Sequence, residues 1–158
     1  KRSKNRWIDC SKNMLKHLQQ AATPFVIVPS RNNAQNYRYE YNIQSIINQD
    51  YSNYRTIFID DASSDRTADL IQLFITRNKL SSSKFRLIRN KQRRSAIPNV
   101  YDAVLNYCGP EDIVLIVSGD DELLGKQVFK VINAVYQTKN PAVAYTNHFF
   151  GKLNDNDF

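Results

Sequence analysis

Asp112-Ile113-Val114-Leu115-Ile116-Val117-Ser118-Gly119-Asp120-Asp121 is the stretch from which the fold can be read. Ile113 to Val117 is aliphatic and largely β-branched without alternation, the pattern of a strand buried on both faces in the parallel sheet of an α/β protein. Gly119 breaks the strand, and two adjacent carboxylates follow. Such neighbours repel, so they persist where water, a cation or oriented donors offset the charge; hard cations such as Mg²⁺ and Mn²⁺ prefer oxygen ligands of this kind. A second apolar run, Thr56-Ile57-Phe58-Ile59, leads into a second pair, Asp60-Asp61. In a parallel sheet both pairs arrive at the same carboxyl edge, where open α/β folds bind ligands.

Working outward, Pro24 introduces Phe25-Val26-Ile27-Val28, a strand expected to stop at Pro29 and to be followed by the polar turn Ser30-Arg31-Asn32-Asn33. Tyr39, Ile43, Ile46 and Ile47 then form one helical stripe. Tyr54 to Ile59 reads as the second strand, and Leu70, Ile71, Phe74 and Ile75 carry its helix. Lys84 to Arg89 is a third strand, followed by a helix with Ile97, Val100, Tyr101, Val104, Leu105 and Cys108 in register. After the Ile113 strand, Leu124, Val128, Val131, Ile132 and Val135 predict a fourth helix, and Ala142-Val143-Ala144-Tyr145 a fifth short strand. Strand starts recur at roughly the 30-residue length of a βαβ unit. Right-handed crossovers then gather all strand-to-helix loops along one edge. Trp7, Ile8, Met14, Leu15 and Leu18 suggest a helical extension over 1–24, ahead of one domain at 25–150 and a polar tail at 151–158.

A chain of 158 residues with 42% hydrophobic and 23% charged residues is ordinary for a single globular domain. No apolar run approaches the ~20 residues of a membrane span and no signal peptide is visible, but residue 1 is Lys, so the compartment stays open between cytoplasmic-facing and Golgi-lumenal. Membrane contact is expected only through segments outside the sequence or through the basic N-terminus. Cys10 and Cys108 define neither a disulfide framework nor a zinc site, and Cys108 is expected as a buried free thiol. The net charge of +7 is concentrated in Lys1 to Arg6 and in Arg86, Arg89, Lys91, Arg93 and Arg94. A solvated face and an anion site are both consistent with these groups. No aromatic residues interleave with them, so no specific nucleic-acid partner is expected.

The edge loops are residues 30–36, 60–65, 90–96 and 118–123, which bring together a polar turn, an Arg-rich segment and both carboxylate pairs. Acid and base in one cleft suit a metal that bridges carboxylate to phosphate. Helix capping is the competing reading for Asp61, Asp65, Ser63 and Ser64, and a simple turn for Asp120-Asp121.

Four segments, in order, resemble family 2 glycosyltransferases of the GT-A fold: Val28-Pro29-Ser30-Arg31-Asn32, Ser45-Ile46-Ile47-Asn48-Gln49-Asp50-Tyr51, Ile59-Asp60-Asp61-Ala62-Ser63-Ser64-Asp65-Arg66-Thr67 and Ser118-Gly119-Asp120-Asp121-Glu122-Leu123. Arg93 to Ala103 is similar to the basic segment between the family's acidic motifs. The resemblance implies a Rossmann-like α/β nucleotide-binding domain, a mostly parallel sheet with helices on both faces. It implies transfer of a sugar from a nucleoside-diphosphate sugar, UDP-linked by expectation, with inversion and with Mn²⁺ or Mg²⁺. Pro29, Ser30 and Asn32 would border base and ribose, with Asp60-Asp61 beside them and Asp61 accepting from the base. Asp120 would lie near ribose and metal as part of a DXD-type element, Asp121 would ligate the metal directly, and Arg94, or Arg93, would face the phosphates. Where the family often reads Asp-Gly-Asp-Asp, this chain has Ser118. Its catalytic base and acceptor half are expected beyond the present residues, and His148 is no obvious substitute. A catalytically degenerate GT-A domain, acting as a binding or scaffold module, is the alternative. A phosphoacceptor domain is disfavoured, because the first strand ends in Pro29-Ser30-Arg31 rather than in an acidic pair.

Overall fold

A computed structural model of the chain describes residues 23–139 and 141–145. The expected N-terminal helix, the polar tail, the first basic group, Cys10 and His148 lie outside the described residues. Four strands, β1 (Thr23–Ser30), β2 (Arg55–Asp60), β3 (Phe85–Arg89) and β4 (Asp112–Ile116), form one sheet in the order β3-β2-β1-β4. Every pairing is parallel, with Ile27 opposite Ile57 on one side and Ile116 on the other. Four helices connect or follow them: α1 (Arg38–Ile47, after a 3-10 turn at Gln35–Tyr37), α2 (Thr67–Arg77), α3 (Ala96–Tyr107) and α4 (Val128–Lys139).

Alternation along the strands divides the core in two. Val26, Val28 and Phe58 pack with Ile43 and Ile46 of α1, Ile71 and Phe74 of α2, and Phe129 of α4. Phe25, Ile27, Ile57 and Ile59 face the other way, onto Val100, Ala103 and Val104 of α3. The chain is thus a parallel α/β sheet with helices on both faces. Tyr39, Ile43 and Ile46 are buried as their spacing predicts, and so are Ile71, Phe74 and Ile75.

Six expectations need correction. β4 is not buried on both faces: it is an edge strand among the described residues, and Ile116 is 57% exposed. An unbroken apolar run fits the central β1 and β2, but by itself it does not reveal how many neighbours a strand has. Pro29 does not stop β1, which runs on to Ser30. Proline lacks a donor, yet near the strand's end its carbonyl still accepts the Gly119 N–H at 2.9 Å. Residues 142–145 form no strand. The α3 stripe is rotated, with Val100, Ala103 and Val104 inward while Ile97, Tyr101 and Leu105 are exposed, because α3, the one helix on that face among the described residues, covers the sheet with only part of its apolar surface. In α4 the buried anchor is Phe129, whereas Val131 is exposed and Leu124 precedes the helix. Cys108 is free and half-buried, and burial pushes its thiol pKa up.

Candidate functional site

The strand order reverses direction between β1 and β4, since β2 and β3 extend to one side and the chain returns to the other. A crevice opens at such a switch point, outside the carboxyl ends of the strands. Here it is a cleft of about 240 Å³ lined by Pro29 and Ser30 at the end of β1, Arg31 and Asn33 after it, Asp61 after β2, Arg93, Ser95 and Asn99 around the start of α3, and Ser118 and Asp120 after β4.

Close backbone approach builds its floor. The Gly119 N–H bonds Pro29 and the Asp61 N–H bonds the Ser30 carbonyl, both at 2.9 Å. A Cβ on Gly119 would stand 2.5 Å from the Ser30 side chain and 2.7 Å from Asn33 Nδ2, so only glycine lets the two loops meet this closely. Asn33 Nδ2 donates to Ser30 Oγ at 3.0 Å, which fixes that hydroxyl at the cleft.

Asp61 is the most constrained group. It is 5% exposed, and its Oδ1 accepts from Asn90 Nδ2 at 2.9 Å and from the Arg94 N–H at 2.8 Å, while Oδ2 accepts the Ser95 N–H at 2.8 Å. Burial alone would raise its pKa, but the Asn99 and Asn90 amides and the two backbone donors outweigh it and hold the carboxyl at about 2. Asp61 therefore does not cap α2. Ser95 supplies its N–H from a left-handed backbone, φ 73°, a conformation that side chains rarely adopt and that clusters at functional sites.

Asp120, half-exposed at the rim, receives the Ser118 hydroxyl at 2.5 Å on Oδ1 and faces Arg38 at 4.0 Å across Oδ2. The loop carrying it is held by α1 and the turn that ends it: Asn42 Nδ2 donates to the Ser118 and Asp121 carbonyls at 2.9 and 2.7 Å, Ser45 Oγ accepts the Leu123 N–H, and Gln49 Nε2, just past the helix, donates to the Gly125 carbonyl.

Of the residues singled out by sequence, Pro29, Ser30, Asp61 and Asp120 come together in the cleft. Four others are not among its lining residues. Asp60 is buried and accepts the Ser63 hydroxyl and N–H, closing the turn after β2. Asn32 Oδ1 accepts the Ser64 N–H at 2.9 Å, tying the first loop to the second. The Arg94 guanidinium pairs with Asp102 at 2.6 Å, so Arg93 and Arg31 are the cations that line the cleft. Asp121 is exposed and is not among the lining residues. Asp65, a suspected cap, does bond the Thr67 N–H at 2.9 Å and also the Ala34 N–H; these donors lower its pKa against the opposing effect of burial. The rest of the second basic group disperses, with Arg89 on Asp69 and Arg86 over the Tyr107 ring.

Asn33, Asn42, Asn90 and Asn99 were missed from sequence. Asn42, Ser45 and Gln49 do carry a signal, recurring at helical spacing beside the apolar stripe of α1. Asn99 is a polar residue within the helical register that faces the sheet.

Residues 25–157 match the family model described as glycosyl transferase family 2. The bifunctional glycosyltransferase pgtA of Dictyostelium discoideum is 24% identical over 104 residues, 63% of this chain and 13% of that protein. Among solved structures, the mannosyltransferase PcManGT from Pyrobaculum calidifontis, in complex with GDP-Man and Mn²⁺, is 25% identical with a TM-score of 0.63, over 80% of this chain and 35% of that one. S. aureus TarS 1-349 in complex with UDP-GlcNAc is 21% identical with a TM-score of 0.59, over 75% and 32%. The chain therefore spans about a third or less of the length of these proteins. No helix among the described residues is long and apolar enough to cross a membrane.

Proposed function

Because the chain belongs to glycosyltransferase family 2, we propose that its cleft binds a nucleoside-diphosphate sugar, UDP-linked by first expectation, and contributes the donor half of an inverting sugar transfer. The observation that carries this is a buried carboxylate, Asp61, kept charged on the same cleft as Asp120 and the cations Arg31 and Arg93. Asp61 would accept an N–H of the base. Pro29 and Ser30 would border the ribose, and Arg31 and Arg93 would meet the diphosphate with charge-assisted hydrogen bonds. Arg94 could join them only by leaving Asp102.

A divalent cation fits the donor set on one condition. No cluster of three or more acidic, His or Cys side chains exists among the described residues. Mg²⁺-like sites that use one or two carboxylates plus substrate phosphates need no such cluster, and Asp120, with Asp121 next to it at the open rim, supplies that number. When bound, the ion would neutralise charge building on the departing diphosphate. Oδ2 of Asp120 is the oxygen available, since Ser118 occupies Oδ1 and Arg38 stands only at 4.0 Å.

Calorimetric titration of UDP and GDP, with and without Mn²⁺, tests this. The expected result is Mn²⁺-dependent binding that Asp120→Ala weakens at least tenfold; binding indifferent to both Mn²⁺ and that substitution would count decisively against it. The Ser118–Asp120 bond also favours a second reading, a domain that holds the nucleotide without transferring the sugar. Metal-dependent binding with no sugar transfer by the full-length protein would select that reading.

A further inference from the structure

Helices α1, α2 and α4 pack on one face of the sheet, whereas α3 is the one helix on the other among the described residues. Four strands spaced about 4.8 Å apart make a surface wider than one helix of about 10 Å can cover. The uncovered part lies over β4. Val114 and Ile116 stand opposite Phe25 and Ile27 in the register, so they point to the α3 side, and Ile116 is left exposed there. Ile97, Tyr101 and Leu105 repeat at i, i+4 and i+8 along α3 and are exposed as well. Handedness decides which way that stripe turns. On a right-handed helix crossing from β3 to β4, the residue before an inward position turns to the β3 side and the residue after it to the β4 side. Asn99, one before the inward Val100, does bond Asn90 just after β3; Tyr101 and Leu105, one after Val100 and Val104, turn to β4. The stripe and Ile116 therefore border one apolar strip between α3 and the edge strand. Each of these four residues is more than half exposed, and apolar surface gathered in this way marks an interaction site.

We propose that residues 1–22 of this chain are the occupant, the amphipathic segment before β1 lying in the strip between α3 and β4. Trp7, Met14 and Leu18, with Ile8 and Leu15 beside them, fall on one side of the expected helix, and Lys12, Asn13 and Lys16 on the side left to water. A helix over Trp7 to Leu18 is about 18 Å long, which matches α3, and β4 spans roughly 17 Å. Connection favours this segment over the rest of the chain. It joins β1 at Thr23, whose partner across the ladder is Asp112, the first residue of β4, so it enters the sheet at one end of the strip. Gln19 to Ala22 reach roughly 15 Å, enough to climb the ~10 Å from the sheet to a helix lying on it. The chain after α4 departs instead from the opposite face, where Phe129 is anchored. Docking of residues 1–22 gives the α3 face its second layer of apolar cover and is independent of what the cleft binds.

The experiment reads the fluorescence of Trp7, the only tryptophan of the sequence, in this chain and in a synthetic peptide of residues 1–22. In the chain the emission is expected to be blue-shifted and protected severalfold from acrylamide relative to the peptide, at every protein concentration. Tyr101→Lys and Leu105→Lys place a charge in the strip that repels the cationic segment, at exposed positions where the fold tolerates substitution. Each should return the emission and the quenching toward those of the peptide. Leu73→Lys, at an exposed position of α2 outside the strip, should leave both as in wild type, which separates loss of docking from loss of fold. Emission of the wild-type chain equal to that of the peptide overturns the proposal, and so does protection that neither strip substitution reduces. Protection that grows with protein concentration overturns it too, since a second copy is then the occupant.

Discussion

Asp61 shows how a single residue can serve stability and binding together. Its carboxyl titrates at about 2 in the fold against 3.8 as a free side chain, so the unfolded chain takes up the proton first. The resulting stabilisation is complete above about pH 4 and is lost as pH falls toward 2. A shift of this size in a buried group corresponds to about 2 kcal/mol. Urea unfolding at pH 7 and at pH 2.5 should therefore show Asp61→Asn less stable than wild type by about 2 kcal/mol at the higher pH, with most of that gap closed at the lower. A gap of equal size at both pH values would mean that the carboxylate charge contributes nothing. Asp60, its neighbour in sequence, is equally buried but is spent on the Ser63 turn. Adjacent carboxylates look alike in a sequence, and only their partners separate a binding group from a turn former.

At the scale of elements, α1 has two duties. One stripe packs Ile43 and Ile46 into the core, and the adjoining Asn42 and Ser45, with Gln49 just past the helix end, grip the acidic loop after β4. Asn42 is the centre of that grip: it is 1% exposed and holds two carbonyls of the loop. Asn42→Ala should cost about 1–3 kcal/mol of stability, because a buried side chain's two hydrogen bonds to the loop are lost. It should also weaken Mn²⁺-dependent nucleotide binding, since Asp120 is then no longer positioned. Loss of stability with unaltered nucleotide affinity would show that the loop holds its shape without α1.

At the scale of the whole molecule, every strand runs the same way and the order turns back at β1, so four loops distant in sequence share one edge. A ligand spanning those loops bonds the folded state alone. At 100 times its Kd it should add about 2.7 kcal/mol to stability, visible as a rise in Tm. The rise with UDP and Mn²⁺ should shrink in Asp120→Ala; an equal rise in both proteins would place the metal-dependent contact elsewhere. Much of this architecture was legible in the amino-acid order, because hydrophobic period, proline and glycine positions, and acidic strand ends are local properties. They placed all four strands of the sheet, the faces of α1 and α2, and the meeting of Pro29, Ser30, Asp61 and Asp120 on one edge. Tertiary structure alone decided that β4 lies at an edge, that α3 turns Val100 and Ala103 inward in preference to Ile97, that Phe129 anchors α4, and that Arg93 lines the cleft while Arg94 pairs with Asp102. Each of these depends on which competing partner lies within bonding or packing distance, and that distance is set by how separate segments stack, a relation no local pattern of residues contains.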